Sequence, residues 1–257
     1  AASSLIGSLT GRVMWRGGLR RRRADEGTEA AVMGVCIDGA SLSIPDVVRV
    51  ARRGAPVSLA PEARRRIDRA SAYVDTLLRR ERPVYGVTTG FGRFADVVIS
   101  PDDSATLQRN LLLSHASGVG ELLPDEVVRA ILLLRANALS CGYSGARAEV
   151  VDTLIAMLNQ GVHPLVPSQG SVGSSGDLAP LAHTMLVVIG EGTARYKGEA
   201  LPGAEAMARA GIPVVTLRAK EGLALINGTQ VMTAVGSLAV HDVSVLARVA
   251  DIAAAMT

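Results

Sequence analysis

The segment Gly170-Ser-Val-Gly-Ser-Ser-Gly-Asp-Leu-Ala-Pro-Leu181 joins a loop of small residues to an apolar run that ends at Ile189. Its glycines permit backbone conformations and close approaches that a Cβ atom forbids. Asp177 stands where a helix can begin, with Pro180 in the first turn. The unpaired amides at such a helix start favour negative charge. The segment therefore predicts a tightly folded loop that leads directly into a helix.

The common glycine-loop motifs are missing from this segment. It has no Gly-Lys-Ser/Thr ending and no Gly-x-Gly-x-x-Gly spacing after a strand. A Gly-x-Ser-x-Gly nucleophile elbow is missing too, since 173–177 reads Gly-Ser-Ser-Gly-Asp and 142–145 reads Gly-Tyr-Ser-Gly. A phosphate-binding or purely structural loop is the alternative to a chemical function, and the absent motifs count against it.

The composition favours a helical protein. The 257 residues are 48% hydrophobic but only 3% aromatic, and alanine, leucine and valine suit closely packed helices more than a β-sandwich. Cys36 and Cys141 are too few for a disulfide framework, and no Cys/His cluster has metal-ligand spacing. No uncharged apolar stretch reaches about 18 residues, so no membrane span is predicted. We expect a cytoplasmic protein.

The basic charge is confined to one end of the chain. Residues 1–32 hold six arginines against Asp25, Glu26 and Glu29, which accounts for the whole net charge of +3. We expect the arginine run at 20–23 to be a solvated tail, so neither nucleic acid nor an anionic membrane is an expected partner. An arginine-rich composition is also shared with transit peptides. Residues 1–32 are predicted to be disordered or non-native, with Met33 as the natural start.

Hydrophobic periodicity and end signals predict several elements. Helices are expected at 61–80, 124–141 and 147–160, the last two ending at Gly142 and Gly161. Short extended pieces are expected at 35–38, at 195–201 around a Lys-Gly turn, and at 213–217. From Glu221 onward the alanine-rich pattern predicts one uninterrupted helix to Thr257.

Three more segments, taken with the loop at 170–181, resemble in order the motifs of the ammonia-lyases that act on histidine and aromatic amino acids. They are Tyr85-Gly-Val-Thr-Thr-Gly-Phe-Gly92, Leu107-Gln-Arg-Asn-Leu-Leu-Leu-Ser-His-Ala-Ser-Gly-Val-Gly120 and Asn227-Gly-Thr-Gln230. The resemblance covers about residues 35–257 and matches the N-terminal half of the family. It implies a mainly α fold of fumarase/aspartase-like architecture. An α+β-like domain at 33–142 would carry the first two motifs, and 143–257 would carry the loop and a truncated long-helix bundle.

The resemblance also implies a cofactor made from the chain. In the family an Ala-Ser-Gly tripeptide cyclises and loses water to give 4-methylidene-imidazol-5-one, abbreviated MIO, which is an electrophile. The matching residues here are Ser174, Ser175 and Gly176, so serine replaces the usual alanine at 174. Because the side chain of residue 174 does not enter the ring, cyclisation stays chemically permitted. The family needs no metal and no external cofactor.

Roles for four other residues come from the same resemblance. Tyr85 is expected to act as general base on a weakly acidic β-hydrogen. Ser114 and His115 match the two-residue substrate selector of the histidine lyases, where tyrosine and phenylalanine lyases usually carry His-Leu or Phe-Leu. Asn227 is expected to hold the oxygen of the ring or the substrate carboxylate. The other histidines are expected to be structural: His163, His183 and His241.

The implied activity is the elimination of ammonia from L-histidine to give urocanate, in a homotetramer whose active sites are assembled by several subunits. A phenylalanine or tyrosine ammonia-lyase, or a 2,3-aminomutase with the same ring, is one alternative. A non-catalytic helical assembly module or inactive fragment is another, motivated by Ser174 and by the family residues expected beyond 257.

Overall fold

The computed structural model describes residues 33–79, 84, 86–90, 104–172 and 176–257. The predicted tail at 1–32 and three predicted site residues, Tyr85, Ser174 and Ser175, lie outside the described residues. The described part is mostly helical, so the predicted fold class is confirmed. The division into domains at residue 142 stays a prediction.

The helices supply most of the regular structure in the described ranges. They are α1 (Ile44–Arg53), α2 (Pro61–Leu78), α3 (Ser104–His115), α4 (Asp125–Ser140), α5 (Ala148–Gln160), α6 (Leu178–Leu186), α7 (Gly203–Arg209), α8 (Glu221–Ile226) and α9 (Gln230–Ala255). The predicted helices at 61–80, 124–141 and 147–160 correspond to α2, α4 and α5, with ends that agree to within two residues.

Local sequence explains where individual helices begin and end. The Asp46 amide donates to the Ser43 hydroxyl while the Ser43 amide donates to the Asp46 carboxylate, so the two residues form a capping box for α1. Helix α5 stops at Gly161, whose φ of 75° lies in the left-handed region that glycine adopts without strain. The predicted stop at Gly161 is therefore confirmed.

The strands are short and form three small sheets in the described part. They are β1 (Val35–Ile37) parallel to β2 (Val57–Leu59), β3 (Val119–Leu122) antiparallel to β5 (Pro167–Gln169), and β4 (His163–Pro164), β6 (Thr193–Tyr196) and β7 (Glu199–Pro202) in the order β4-β6-β7. Strands β6 and β7 form a hairpin around Lys197 and Gly198, both with positive φ. This is the turn type that matches strand twist, and it confirms the predicted Lys-Gly turn.

Helix α4 lies at the centre of the core. It packs against α1, α2, α5 and α9, and its side chains are buried on every side, with Ile131, Leu132 and Leu133 fully inaccessible. A helix whose side chains are buried on all sides belongs in a core. Burial of each such side chain contributes about 1.5–3 kcal/mol relative to leaving it in water. Helix α4 is therefore the frame on which the surrounding helices are placed.

The extended piece expected at 213–217 forms no strand. Residues 212–218 are assigned to neither a helix nor a strand, and the Val215 amide donates to the Val188 carbonyl at 2.9 Å. Val215 and Leu217 are buried while their neighbours are exposed. An alternation of this kind does not by itself require a partner strand.

The single helix predicted from Glu221 to Thr257 is wrong. The chain leaves helical geometry after Ile226, passes through Asn227, Gly228 and Thr229, and resumes as α9. Asn227 has φ −84° and ψ 102°, which ends α8. Glycine and asparagine are poor helix residues, and the contacts of this connection, described below, account for the break.

A buried ion pair fixes the start of α8. Glu221 is 1% exposed and accepts from Nε and Nη2 of Arg147, both at 2.9 Å. The Arg147 and Arg218 amides also donate to it. Because the carboxylate has four donors, its burial leaves no unsatisfied oxygen. On the other side, Gln108 of α3 accepts from the Gly222 amide at 2.8 Å. Helix α8 is thus held by both α3 and the start of α5.

A histidine ties the end of α3 to α6. The Gly118 amide donates to His183 Nε2 at 3.0 Å, and a Cβ on Gly118 would lie only 3.2 Å from the His183 ring. Burial lowers the pKa of His183 below its ordinary value, with no charged group contributing. An imidazole that accepts at Nε2 cannot be protonated there. The turn that follows His115 therefore depends on a neutral His183.

We predict that the free energy of unfolding falls as the pH drops below 6.5, the ordinary histidine pKa. The unfolded His183 takes up a proton there while the folded side chain resists it, so the folded state loses stability down to its own lower pKa. His183→Gln keeps an acceptor but does not titrate. Urea unfolding between pH 5 and pH 8 is expected to give a shallower pH dependence for the variant.

The effect of His163, whose pKa burial also lowers, is common to both proteins and cancels in their difference. Two curves with the same slope against pH, separated only by a constant offset, would contradict the prediction.

Candidate functional site

The loop at 170–181 meets the connection between α8 and α9. Gly176 and Gly228 pair as an isolated parallel β-bridge. A Cβ on Gly228 would lie 2.2 Å from Gln230 Oε1 and 2.5 Å from Arg135 Nη1, so only glycine fits without displacement. The structure therefore brings together two of the predicted site segments, those of Gly176 and Asn227.

Asp177 holds the loop against the start of α9. Its buried carboxylate accepts from the Val231 and Met232 amides, both at 2.9 Å, and from the Ser171 hydroxyl at 2.6 Å. Val231 and Met232 belong to the first turn of α9, where amides have no partner within the helix. A carboxylate at that end is also favoured by the helix dipole. The loop thus provides the side-chain cap of a helix far along the chain.

This contact corrects the expectation for Asp177. The residue does precede α6, as predicted, but its side chain makes no capping bond to that helix. Since Val231 lies 54 residues further along the chain, no local pattern in the sequence indicates the partner. The signal that the sequence offers is an acidic residue directly after a glycine loop.

The ends of the loop are drawn together. The Val172 amide donates to the Gly176 carbonyl at 3.0 Å, and Gly176 is buried. The residues between them, with Ser174 and Ser175, lie outside the described part of the chain. A short segment whose ends are held this close, and which finishes in a buried residue without a Cβ, suits the compact ring that the sequence predicts.

Asn227 is exposed although the residue before it, Ile226, is buried. Its amide donates to the Leu223 carbonyl at 3.0 Å, which fixes the backbone as α8 ends. The Asn227 side chain is exposed directly before Gly228, which pairs with Gly176. An amide offers both a donor and an acceptor there.

His115 has a defined tautomer. It ends α3 and is half-buried, with Nδ1 2.9 Å from the Leu111 carbonyl and 3.1 Å from the Ser114 hydroxyl. The Ser114 hydroxyl donates to the same carbonyl at 3.0 Å. Because a carbonyl can only accept, we assign the proton to Nδ1. Nε2 is then an acceptor.

The elements that carry these residues pack together. Helices α3, α6 and α8 contact one another in all three pairs, so His115, the residues after the loop and Asn227 belong to one cluster of helices. Near Tyr85, the Val84 carbonyl accepts from the Val87 and Thr88 amides, both at 3.0 Å. Gly86 has a φ of 69°. Tyr85 itself lies outside the described residues.

Sequence patterns missed Arg135, a buried cation against the same connection. Its Nη1 donates to Gln230 Oε1 at 2.8 Å, and its Nη2 donates to the Ala224 carbonyl. Burial lowers its pKa to about 10. An arginine directly after the aliphatic run at 131–134 is the signal that could have revealed it, because charged residues are rarely buried without a purpose.

Other features do not mark this site. A cavity of about 550 Å³ lies among Leu78, Ser104, Arg147 and the segment 214–219 and includes none of the predicted site residues. In the described ranges, no three His, Cys, Asp or Glu side chains are grouped as metal ligands would be. Of the described helices, none is both long and apolar enough to cross a bilayer.

Comparison with known proteins identifies the family. Residues 42–257 match the family described as aromatic amino acid lyase. The histidine ammonia-lyase of Symbiobacterium thermophilum is 63% identical over 219 residues, which are 85% of this chain and 43% of that protein. The histidine ammonia-lyase of Alkaliphilus metalliredigens is 57% identical over 223 residues, 87% of this chain and 44% of that protein.

Solved structures agree with the sequence relatives. The crystal structure of histidine ammonia-lyase from Trypanosoma cruzi has a TM-score of 0.80 at 39% identity, over 86% of this chain and 42% of that one. The Pantoea agglomerans phenylalanine aminomutase has a TM-score of 0.77 at 38% identity, over 82% of this chain and 40% of that one. The chain thus spans less than half the length of these relatives. Since the family match nevertheless covers most of its own length, this chain belongs to the aromatic amino acid lyase family.

Proposed function

We propose that the complete gene product eliminates ammonia from L-histidine to give urocanate. The observation that carries this proposal is the junction of Gly176 with Gly228, fixed by Asp177, in a chain that is 63% identical to a histidine ammonia-lyase. The junction supports the proposal because the segment proposed to form the ring lies next to the segment proposed to hold it.

The ring is proposed to form from Ser174, Ser175 and Gly176. The MIO group supplies an electrophile that no ordinary side chain provides. The closed loop ends and the buried Gly176 suit its formation, and serine at 174 adds only a hydroxyl outside the ring. Asn227, exposed beside the bridge, would donate from its amide to the oxygen of the ring or to the substrate carboxylate.

His115 favours histidine over the aromatic substrates. With the proton on Nδ1, its Nε2 can accept from the N–H of a substrate imidazole. A phenyl ring has no such donor and would leave the acceptor unpaired, which costs about 1–3 kcal/mol for a buried group. The fold itself does not discriminate, because an aminomutase of phenylalanine is also similar at 38% identity. Histidine and phenylalanine as substrates are therefore distinguished at His115. The lyase and aminomutase reactions are distinguished by the product formed.

Tyr85 is the proposed base for the β-hydrogen. Its described neighbours support this role: the Val84 carbonyl accepts from the Val87 and Thr88 amides, and Gly86 has its φ in the left-handed region, so the flanking backbone is compact enough to approach a bound substrate. A phenolate is a strong base once its environment stabilises it, because the ordinary tyrosine pKa is about 10.

We also propose a cytoplasmic homotetramer without nucleic acid or membrane partners. Helix α9 supports the assembly, because only three of its residues are buried, Val231, Ala234 and Leu238. Large apolar side chains are exposed along the rest of it, namely Met232, Val235, Val240, Val243, Val245, Leu246, Val249 and Ile252. An apolar surface of this extent is typical of one that other helices cover.

Ser175→Ala removes the hydroxyl that the ring must lose. We predict that histidine turnover is abolished while the thermal stability changes little, because one small loop side chain is replaced. In the wild type, the peptide containing 174–176 is expected to be lighter by two waters, and in the variant that loss disappears. Ser168→Ala, at an exposed serine of β5, is the control and retains both activity and mass loss. Full activity of Ser175→Ala would exclude the lyase proposal, and an unmodified, inactive wild type would favour the non-catalytic alternative.

Tyr85→Phe is expected to lower kcat about 100- to 10,000-fold, the usual contribution of a positioned acid or base. KM should change little, because the hydroxyl acts mainly in the transition state. Steady-state kinetics with histidine measure both constants, and Tyr143→Phe, at a side chain that is 90% exposed, is the matched control. A change confined to KM would mean that Tyr85 binds substrate without acting as base.

Exchanging Ser114 and His115 for His-Leu tests the selector. The ratio of kcat/KM for histidine to that for phenylalanine should fall at least about 100-fold, because a site built to pair a polar group discriminates strongly against its absence. The single variant His115→Gln, which keeps an acceptor, should lose less. If the ratio is the same in the wild type and the double variant, His115 does not select the substrate.

A further inference from the structure

Arg135 is a buried cation whose partners are neutral. Its side chain is 4% exposed, and its hydrogen bonds go to the Gln230 amide oxygen and the Ala224 carbonyl. Nε has no partner in the described part of the chain. Burying a charge without an opposite charge is expensive. An uncharged side chain of similar length would fill the same space at lower cost, so packing alone does not account for an arginine here.

The two partners of Arg135 bracket the connection between α8 and α9. Ala224 lies in the last turn of α8, and Gln230 is the first residue of α9. Between them lie Asn227 and Gly228, and Nη1 stands where even a methyl group on Gly228 would be 2.5 Å away. The guanidinium therefore contacts the connection on its buried side and spans it from one helix to the other.

Gly228 continues this chain of contacts into the loop, because it pairs with Gly176. Asp177 of the loop holds the start of α9, directly after the connection, through the Val231 and Met232 amides. Arg135 of α4 holds the residues on both sides of the connection, Ala224 in α8 and Gln230 in α9. Fixing both ends of a short segment removes the backbone freedom that would let Asn227 shift.

Arg129, a second buried arginine of α4, provides a comparison because its hydrogen bonds hold other elements of the fold. It is 9% exposed, and it donates to the Val50 carbonyl at 2.9 Å and the Leu158 carbonyl at 3.0 Å. Those carbonyls lie in α1 and α5, the Arg129 Nη1 also lies 3.2 Å from His163 Nε2 in β4, and no hydrogen bond of Arg129 in the described part of the chain reaches the connection. Arg129 and Arg135 are therefore both buried arginines of α4 that differ in what they hold.

We propose that Arg135 is a positioning residue for the site: its guanidinium fixes the connection at 227–229 against Gly176 and so sets where the Asn227 amide stands. This inference rests on the proposed lyase function for its kinetic consequence. Its structural part, the rigidity of the connection, holds whether or not the protein acts on histidine.

The test compares Arg135→Met with Arg129→Met in the complete gene product. Both variants remove a buried guanidinium and should lower the melting temperature similarly. Only Arg135→Met is expected to speed hydrogen exchange in peptides covering 224–232, and only it should lower kcat for histidine, by about 100-fold, as a misplacement of the order of 1 Å does. KM should move less than kcat.

A double-mutant cycle with Gln230→Leu sharpens the test. That variant removes the acceptor of Nη1, so it should also speed exchange at 224–232, and its effect on kcat should not add to that of Arg135→Met. If Arg135→Met does not fold, Gln230→Leu and Arg135→Lys carry the test alone. Lysine keeps the charge but cannot span both acceptors, so we expect it to restore kcat only in part.

The outcomes distinguish failure of the positioning role from failure of the proposed function. Exchange and kcat unchanged in the Arg135 variants, the same changes in Arg129→Met, or full additivity with Gln230→Leu would overturn the positioning role. A wild-type protein that leaves histidine intact would instead reject the proposed function, while the exchange comparison would still decide whether Arg135 holds the connection.

Discussion

The arrangement of the site depends on one buried carboxylate. Asp177 receives three hydrogen bonds, from the Ser171 hydroxyl and from two amides of the first turn of α9. An ionised group in the interior is tolerable only when its acceptor positions are filled, and charge-assisted bonds of this kind are the strong ones. Because the donors belong to both the loop and the helix, satisfying this charge requires the loop, the connection and α9 to hold a single relative position.

Close backbone approach is the second requirement of the same junction. Gly176 and Gly228 can pair because neither carries a Cβ, and the space beside Gly228 is taken by Arg135 and Gln230. The break in the helix between Ile226 and Gln230 follows from this. A continuous helix would use its own backbone for internal hydrogen bonds, and neither the bridge nor the exposed Asn227 would then exist. The candidate site therefore depends on the interruption of the helix between Ile226 and Gln230.

The sequence predicted what is encoded locally. Helices α2, α4 and α5, the stop at Gly161 and the hairpin at Lys197 each follow from a pattern within a few neighbouring residues, and each is confirmed. The uninterrupted helix predicted from Glu221 was wrong because its break is decided by partners elsewhere in the chain. At the candidate site, motifs predicted roles for Gly176, His115 and Asn227, and these roles stay predictions. The partners of Asp177 and Arg135 could not be predicted, since they depend on tertiary contacts that leave no periodic signal.

The distance along the chain between Asp177 and its partners has a consequence for biosynthesis. Val231 follows Asp177 by 54 residues, and a ribosome adds about 5–20 residues per second. For several seconds the nascent loop exists without the amides that hold it and without Gly228 beside it. Any backbone reaction that depends on the folded shape of the loop must therefore wait until the start of α9 has been translated and docked. The hydrogen bonds of Asp177 to the start of α9 therefore determine when the loop reaches its folded shape, as well as stabilising that shape.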